Sequence, residues 1–196
     1  MTDCDFRAEE ATLDVIQRAF PDHGILSEER GAVSSVSGFP RWVVDPLDGT
    51  SNFIRGVPWY AISVAFETRT GTEVGVVYAP ALGLLFSAIK GRGARLNGRA
   101  VHASATRTLR GSLIDGGLPR EGWADSTVLS GFSRLSAAGA DLRSLNACAL
   151  DLAFVACGRL EAYWDEFVSP WDMAAGGLLV REAGGRINDR VSTLEA

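Results

Sequence analysis

The stretch that decides the fold runs Arg41-Trp42-Val43-Val44-Asp45-Pro46-Leu47-Asp48-Gly49-Thr50-Ser51. Trp42, Val43 and Val44 read as a buried strand, with Asp45 at its C-terminal end, where open α/β folds place ligands. Pro46 fixes a turn, and Asp48 brings a second carboxylate back toward the first. Two carboxylates about 4 Å apart repel by roughly 1–4 kcal/mol, depending on the local dielectric. Such a pair persists where a cation lies between its members or one of them is protonated. Hard divalent cations take oxygen ligands, and Mg²⁺ is held by few carboxylates together with water and substrate phosphate. Gly49-Thr50-Ser51 opens a short helix and offers backbone N–H groups and hydroxyls to an anion. An Asp-rich turn with a helix cap accounts for the same residues, so this peptide alone leaves both readings open.

Working outward, residues 5–20 read as a helix with Phe6, Leu13, Ile16 and Phe20 on one face and Thr2, Asp3 or Asp5 as its cap. Pro21-Asp22-His23-Gly24 ends it, and a short strand over 24–26 runs into Ser27-Glu28-Glu29-Arg30. Gly31 to Pro40 is small and turn-forming, a loop. Downstream, β-rich stretches at 59–67, 73–79 and 84–89, separated by turn-length gaps, predict an antiparallel meander. From Ser112 the pattern alternates: strand 112–115, helix 126–138, strand 142–145, helix 147–157, strand 160–164, helix 171–183. The expected fold is a mixed α/β (α+β) layered domain spanning 1–196. A soft boundary near 105–111 divides it into sub-lobes of about 1–108 and 109–196.

Composition narrows the function. The 196 residues are 46% hydrophobic, enough for a substantial core. Nineteen basic against 24 acidic residues leave a net charge of -5, which argues against a nucleic-acid-coating protein and predicts no nucleic-acid partner. No apolar run approaches the ~18 residues that cross a bilayer, so no membrane partner is expected. The acidic start lacks the pattern of a secretory signal. Cys4, Cys148 and Cys157 form neither a paired framework nor a zinc site, and a reducing cytoplasm is the expected location. His23 and His102 read as structural or exposed, and Arg92, Arg95 and Arg99 as a solvated face.

Two further fragments carry acids. In Trp171-Asp172-Met173-Ala174-Ala175-Gly176-Gly177, Asp172 starts a helix of small residues and by itself reads as an N-cap rather than a ligand. Ser27-Glu28-Glu29 follows a short strand and by itself reads as a solvated charge pair.

Together the fragments resemble a family. Asp45-Pro46-Leu47-Asp48-Gly49-Thr50 is similar to the DP(I/L)DGT signature of the inositol monophosphatases, and Trp171 to Gly176 is similar to their second signature, WD-x-AAG. Glu28-Glu29 resembles the GEE element, with Ser27 in place of glycine, and Thr2-Asp3-Cys4-Asp5 resembles the T-x-x-D that opens the family's second helix. The resemblance runs colinearly through nearly the whole chain.

It implies a layered αβαβα sandwich shared with fructose-1,6-bisphosphatase, and an Mg²⁺-dependent, lithium-sensitive phosphomonoesterase using two to three ions. Glu28, Asp45 and the Leu47 carbonyl would hold the first ion. Asp45, Asp48 and Asp172 would hold the second, and a looser third would lean on Glu28. Asp48, Gly49, Thr50 and Ser51 would bind phosphate. Thr50, with Asp5 or Glu28, would orient and help deprotonate water. Asp165 stands where the family has a glutamate touching substrate hydroxyls. Leu145-Asn146-Ala147 stands where the family's backbone approaches the sugar, with Asn146 for glycine and Ala147 for a hydroxyl residue.

The implied substrate is a small phosphorylated polyol or sugar, inositol monophosphate first. Histidinol phosphate, fructose 1,6-bisphosphate and 3′-phosphoadenosine 5′-phosphate are the alternatives. A homodimer is also implied. Against the family's pattern the chain is expected to lack the first helix, which carries a lysine of the site, and the closing strand and helix. A non-catalytic metal- or phosphate-binding protein is the alternative of another class, since some family members also bind transcription machinery.

Overall fold

The computed structural model describes residues 2–32, 38–117, 127–165 and 168–188. Helix α1 (Asp3–Ala19) leads into β1 (Gly24–Ser27), β2 (Gly31–Ala32) and β3 (Arg41–Asp48), and the short α2 (Thr50–Ile54) follows directly on β3. The meander expected from the turn spacing is present as β4 (Ala61–Thr68), β5 (Gly71–Ala79) and β6 (Leu84–Ile89), extended by the small strands β7 (Ala94–Leu96) and β8 (Arg99–Val101). These strands form one eight-stranded sheet in the order β2-β1-β3-β4-β5-β6-β7-β8. Strand β1 pairs parallel with β3, whereas β3 to β8 run antiparallel. A separate parallel sheet, β10-β9-β11, is built from β9 (Leu113–Gly116), β10 (Asp141–Arg143) and β11 (Ala162–Trp164). The remaining helices are α3 (Thr127–Ala137), α4 (Cys148–Ala156) and α5 (Pro170–Glu182).

Strand β3 is buried on both faces, which explains its unbroken apolar run. Successive side chains alternate faces. Val43 joins the large core against α4 and α5, while Val44 joins Leu13, Ile16 and Ile25 beneath α1. The layers are thus α1, sheet, α5 and then α4 with the small sheet. Small residues set the distances between them. A Cβ on Gly75 of β5 would lie 3.0 Å from the Ala175 backbone, and one on Gly176 of α5 would lie 2.7 Å from Leu152 Cβ. The run Ala174-Ala175-Gly176-Gly177 therefore lets α5 lie flat between the sheet and α4. Only very small residues permit that approach on two sides at once.

His23 is structural, as its turn context implied. It stacks on Phe20 and Phe66, and its Nδ1 accepts from Trp42 Nε1 at 3.1 Å. His102 is exposed. Cys4, Cys148 and Cys157 are all free thiols. Among the described residues no helix is long and apolar enough to cross a membrane. The centre of the loop read over 31–40 and the segment 118–126 lie outside the described residues.

Candidate active site

In a regular strand, residues three apart point to opposite faces. Asp45 and Asp48 escape that rule through a bulge. Asp45 pairs with Ser63 and Asp48 with Ala61, so three steps along β3 match two along β4. The extra residue turns Asp48 back to the side of Asp45. Pro46 has no N–H to lose from the ladder, and the Leu47 N–H closes the turn on Asp45 Oδ1 at 2.9 Å. Both acids are buried, Asp45 at 2% exposure and Asp48 at 6%.

Two helices bring further acids by one device. At the start of α1 the cap is Thr2, and Asp5 in the first turn accepts from the Thr2 backbone N–H. At the start of α5 the cap is Ser169, and Asp172 accepts from the Ser169 backbone N–H at 2.6 Å. Each acid closes a capping box at the third helical position. The sequence reading offered Asp172 itself as the cap; the structure moves that role to Ser169. Asp5 is fixed further by Thr50, whose hydroxyl lies 3.0 Å from both Asp5 Oδ1 and the Leu47 carbonyl.

The electrostatics follow from this crowding. Burial, then Asp48, then Glu28 and Asp172 push the Asp45 carboxyl well above the usual carboxylate range, and Glu28 stands within hydrogen-bonding reach of it. Asp48 is pushed up to about 7, chiefly by burial and then by Asp172 and Glu28, against the opposing pull of the Leu150 N–H at 3.0 Å. Asp5 goes the other way. Burial would raise it, but hydrogen bonds from the Thr2 side chain, the Thr2 backbone and Thr50 outweigh that and lower it. One corner of the site therefore holds carboxylates that repel each other, and the adjoining corner holds one kept ionised.

The charges of Glu28 and Asp172 both bear on Asp45 and on Asp48. Among the described residues no three His, Cys, Asp or Glu side chains form a metal cage by themselves. An all-oxygen, incomplete donor set suits Mg²⁺, which keeps waters and shares its shell with phosphate oxygens. Gly49 opens α2 in the left-handed conformation, φ 84°, with no side chain capping the helix. A Cβ there would lie 2.8 Å from the Trp59 carbonyl and 3.1 Å from Ala147 Cβ. Gly49→Ala is expected to lower stability by about 2–4 kcal/mol, from the left-handed penalty plus overpacking. A melting curve checks this, and a shift below 1 kcal/mol would refute the close packing.

Thr50 is half-buried, Ser51 is exposed and Glu28 is exposed at the end of β1. Ala147 is wholly buried, and its N–H donates to Asp151 Oδ2 at 3.1 Å, so it forms the wall behind Gly49. Asp165 accepts from the Tyr163 hydroxyl at 2.9 Å and lies against Gly117. Two acids that the sequence reading passed over, Asp115 and Asp151, are 0% exposed in the same wall. Asp151 had a signal. It stands in Ala149-Leu150-Asp151-Leu152-Ala153, on a helix apolar on every side, where an acid must be buried and therefore satisfied.

A family model described as the inositol monophosphatase family matches residues 1–193. A "Nus factor SuhB" of Pasteurella multocida is 40% identical over 190 residues, which cover 96% of this chain and 71% of that protein. The crystal structure of the extragenic suppressor protein suhB from Bartonella henselae superposes with a TM-score of 0.90 at 38% identity, covering 94% of this chain and 71% of that one. An inositol monophosphatase from Anabaena does so with 0.86 at 37% identity, covering 93% and 73%. The layered fold expected from the sequence is thereby shown. The expectation of no nucleic-acid partner is overturned, because relatives of this similarity are named Nus factors. Net charge describes the surface on average and does not decide which partners one face accepts.

Proposed function

The chain belongs to the inositol monophosphatase family, and from that premise we propose that it hydrolyses a small phosphate monoester, inositol monophosphate or a related sugar or polyol phosphate, with Mg²⁺. The observation that carries this reading is the buried pair Asp45 and Asp48, under the charges of Glu28 and Asp172, beside the Gly49 turn. Two buried acids, Asp45 and Asp48, raised by burial and by the carboxylates around them, call for a cation, and the uncapped start of α2 beside them suits the phosphate that such a cation would share.

Glu28, Asp45, Asp48, Asp172 and the Leu47 carbonyl would hold the Mg²⁺ ions. When bound, they supply positive charge to the phosphoryl oxygens and the leaving oxygen and lower the pKa of nearby water. Gly49, Thr50 and Ser51 hold the phosphate against the start of α2 and fix its orientation. Thr50 keeps a lone pair for an incoming water while its hydroxyl donates to Asp5. Asp5, kept ionised by its hydrogen bonds, is the group that can take up the proton through that hydroxyl. The water oxygen bonds to phosphorus, the ester P–O bond breaks, and the alcohol leaves with a proton as inorganic phosphate is released. No covalent enzyme intermediate is needed.

Thr50→Ala removes the link between water and Asp5. It is expected to lower kcat about 100-fold, at the low end of general-base contributions, with little change in melting temperature. A loss below threefold would remove Thr50 from the proton path. The reading as a whole is tested by phosphate release from myo-inositol 1-phosphate, histidinol phosphate, fructose 1,6-bisphosphate and 3′-phosphoadenosine 5′-phosphate, with and without Mg²⁺ and Li⁺. Mg²⁺-dependent, Li⁺-suppressed release supports it, and the preferred ester fixes the substrate. Silence from folded protein refutes it.

The Nus-factor name of the relatives favours a second reading alongside the first, a binding role toward transcription machinery. Capture of such a partner by an Asp45→Asn variant without turnover would separate the two roles. Loss of capture in that variant would tie them to one site.

A further inference from the structure

Behind the phosphate turn lies a second pair of acids with no part in the chemistry above. Asp115 is the last residue but one of β9, and Asp151 lies on α4, both fully buried. The two stand within hydrogen-bonding reach of each other. Their remaining partners are all donors from one wall of the site. Asp151 Oδ1 accepts from Trp59 Nε1 at 2.7 Å, and Asp151 Oδ2 accepts from the Ala147 N–H at 3.1 Å. Asp115 Oδ1 accepts from the Leu145 N–H at 3.0 Å. Asp115 Oδ2 receives no donor.

Two ionised carboxylates in buried contact would repel, and an acceptor with no donor carries its full desolvation cost. A single proton removes both problems, and counting acceptors says where it belongs. Both oxygens of Asp151 are engaged as acceptors, one by a short bond from an indole. Only Asp115 has an oxygen to spare.

We propose that Asp115 is a carboxylic acid that donates from Oδ2 to an ionised Asp151, and that the pair is a positioning device holding residues 144–147 against the phosphate turn. Burial, the largest influence on each, raises both carboxyls, Asp151 further than Asp115, in keeping with one retained proton. The bond between the two acids by itself favours that proton on Asp151, whereas the donors already spent on both Asp151 oxygens and the bare Asp115 Oδ2 favour it on Asp115. The segment is pinned at three points. Leu145 N–H goes to Asp115 and Ala147 N–H to Asp151, while Asn52, on α2 itself, donates to the Leu145 carbonyl at 2.7 Å and to the Trp59 carbonyl at 2.8 Å. Between the pinned residues Asn146 is exposed with φ 56°, and Ala147 abuts the Gly49 position. The pair thus fixes how the exposed Asn146 stands beside bound phosphate ester. Its role in substrate binding rests on the phosphatase reading; its role in pinning the segment does not.

Asparagine distinguishes the two members. At position 115 it keeps an acceptor for Leu145 and a donor toward Asp151, reproducing the neutral acid. At position 151 it sets an amide NH₂ against either Trp59 Nε1 or the Ala147 N–H, donor against donor. The Mg²⁺-loaded wild type, Asp115→Asn and Asp151→Asn are compared by amide exchange at Leu145 and Ala147, by kinetics on myo-inositol 1-phosphate, and by infrared spectra in the protonated-carboxyl region. Asp115→Asn is expected to leave exchange and KM within about twofold while removing one protonated-carboxyl band. Asp151→Asn is expected to speed Ala147 exchange at least tenfold and to raise KM at least fivefold, with kcat changing less.

Equal effects from the two variants, the reverse order, or an unchanged infrared spectrum in Asp115→Asn would overturn the proposal. The infrared result decides even if Asp151→Asn does not fold. Asymmetric exchange and a lost band in a protein that hydrolyses no ester would support the pair and refute the phosphatase reading instead.

Discussion

Asp45→Asn is expected to reduce Mg²⁺-dependent phosphate release by about a thousandfold or more and, in the same protein stripped of metal, to raise the melting temperature. The two effects have one cause. Asp45 is 2% exposed, and burial, Asp48, Glu28 and Asp172 all disfavour its charge. Without a cation that crowding is a cost of the folded state, and a neutral amide of the same shape lessens it. The amide can still accept from the Leu47 N–H, so the turn keeps its closing bond. What it cannot supply is the charge that would hold two ions in common. Losing a charge aimed at the transition state costs several kcal/mol, and each 1.36 kcal/mol is tenfold in rate. The checks are phosphate release at saturating Mg²⁺ and melting curves in chelator. Retained turnover would remove Asp45 from the metal site. Lost turnover with a lowered melting temperature would mark a structural residue only.

The sequence revealed its elements well because their patterns were local. The apolar run at 42–44, the turn residues between the meander strands and the cap-like Thr2 each act within a few positions. The small residues of 174–177 were also visible, but their reason was not. It lies in the approach of Gly75 on one side and Leu152 on the other, contacts from distant parts of the chain. The paired acids at 45 and 48 were legible as a motif, whereas the bulge that puts them on one side is a register fact between two strands. Asp5 and Asp172 show the same limit. Sequence read Asp172 as cap or ligand and Asp5 as cap or proton-handling acid, and the third position of a capping box closes the helix while presenting a carboxylate at its positive end. The Asp115–Asp151 pair was invisible because its members stand far apart in sequence and meet only when α4 packs against the small sheet.

The second large effect is on stability against pH. Asp48 moves from an ordinary value of 3.8 to about 7 in the folded chain, and Asp45 is raised as well. Between roughly pH 4 and 7 the folded state therefore holds protons that the unfolded state has released. Stability then falls as pH rises through that window, because its slope follows protons bound unfolded minus protons bound folded, which is negative here. Asp48 alone spans about three pKa units, a loss of a few kcal/mol. Asp5, lowered in the fold, acts oppositely and costs stability only as pH falls through its own acid range. Bound Mg²⁺ should reverse the trend, since a cation favours the ionised carboxylates and binds better as protons leave. The stabilisation it gives, which grows as the logarithm of concentration over Kd, is expected to be small near pH 5 and largest near pH 8. Melting temperatures from pH 5 to 8, in chelator and in millimolar Mg²⁺, measure both trends. In chelator the temperature should drop across the series, and with Mg²⁺ it should stay level or rise. A metal-free melting temperature that climbs with pH would show that the acids at β3 and α5 are not held together as a cation site at all.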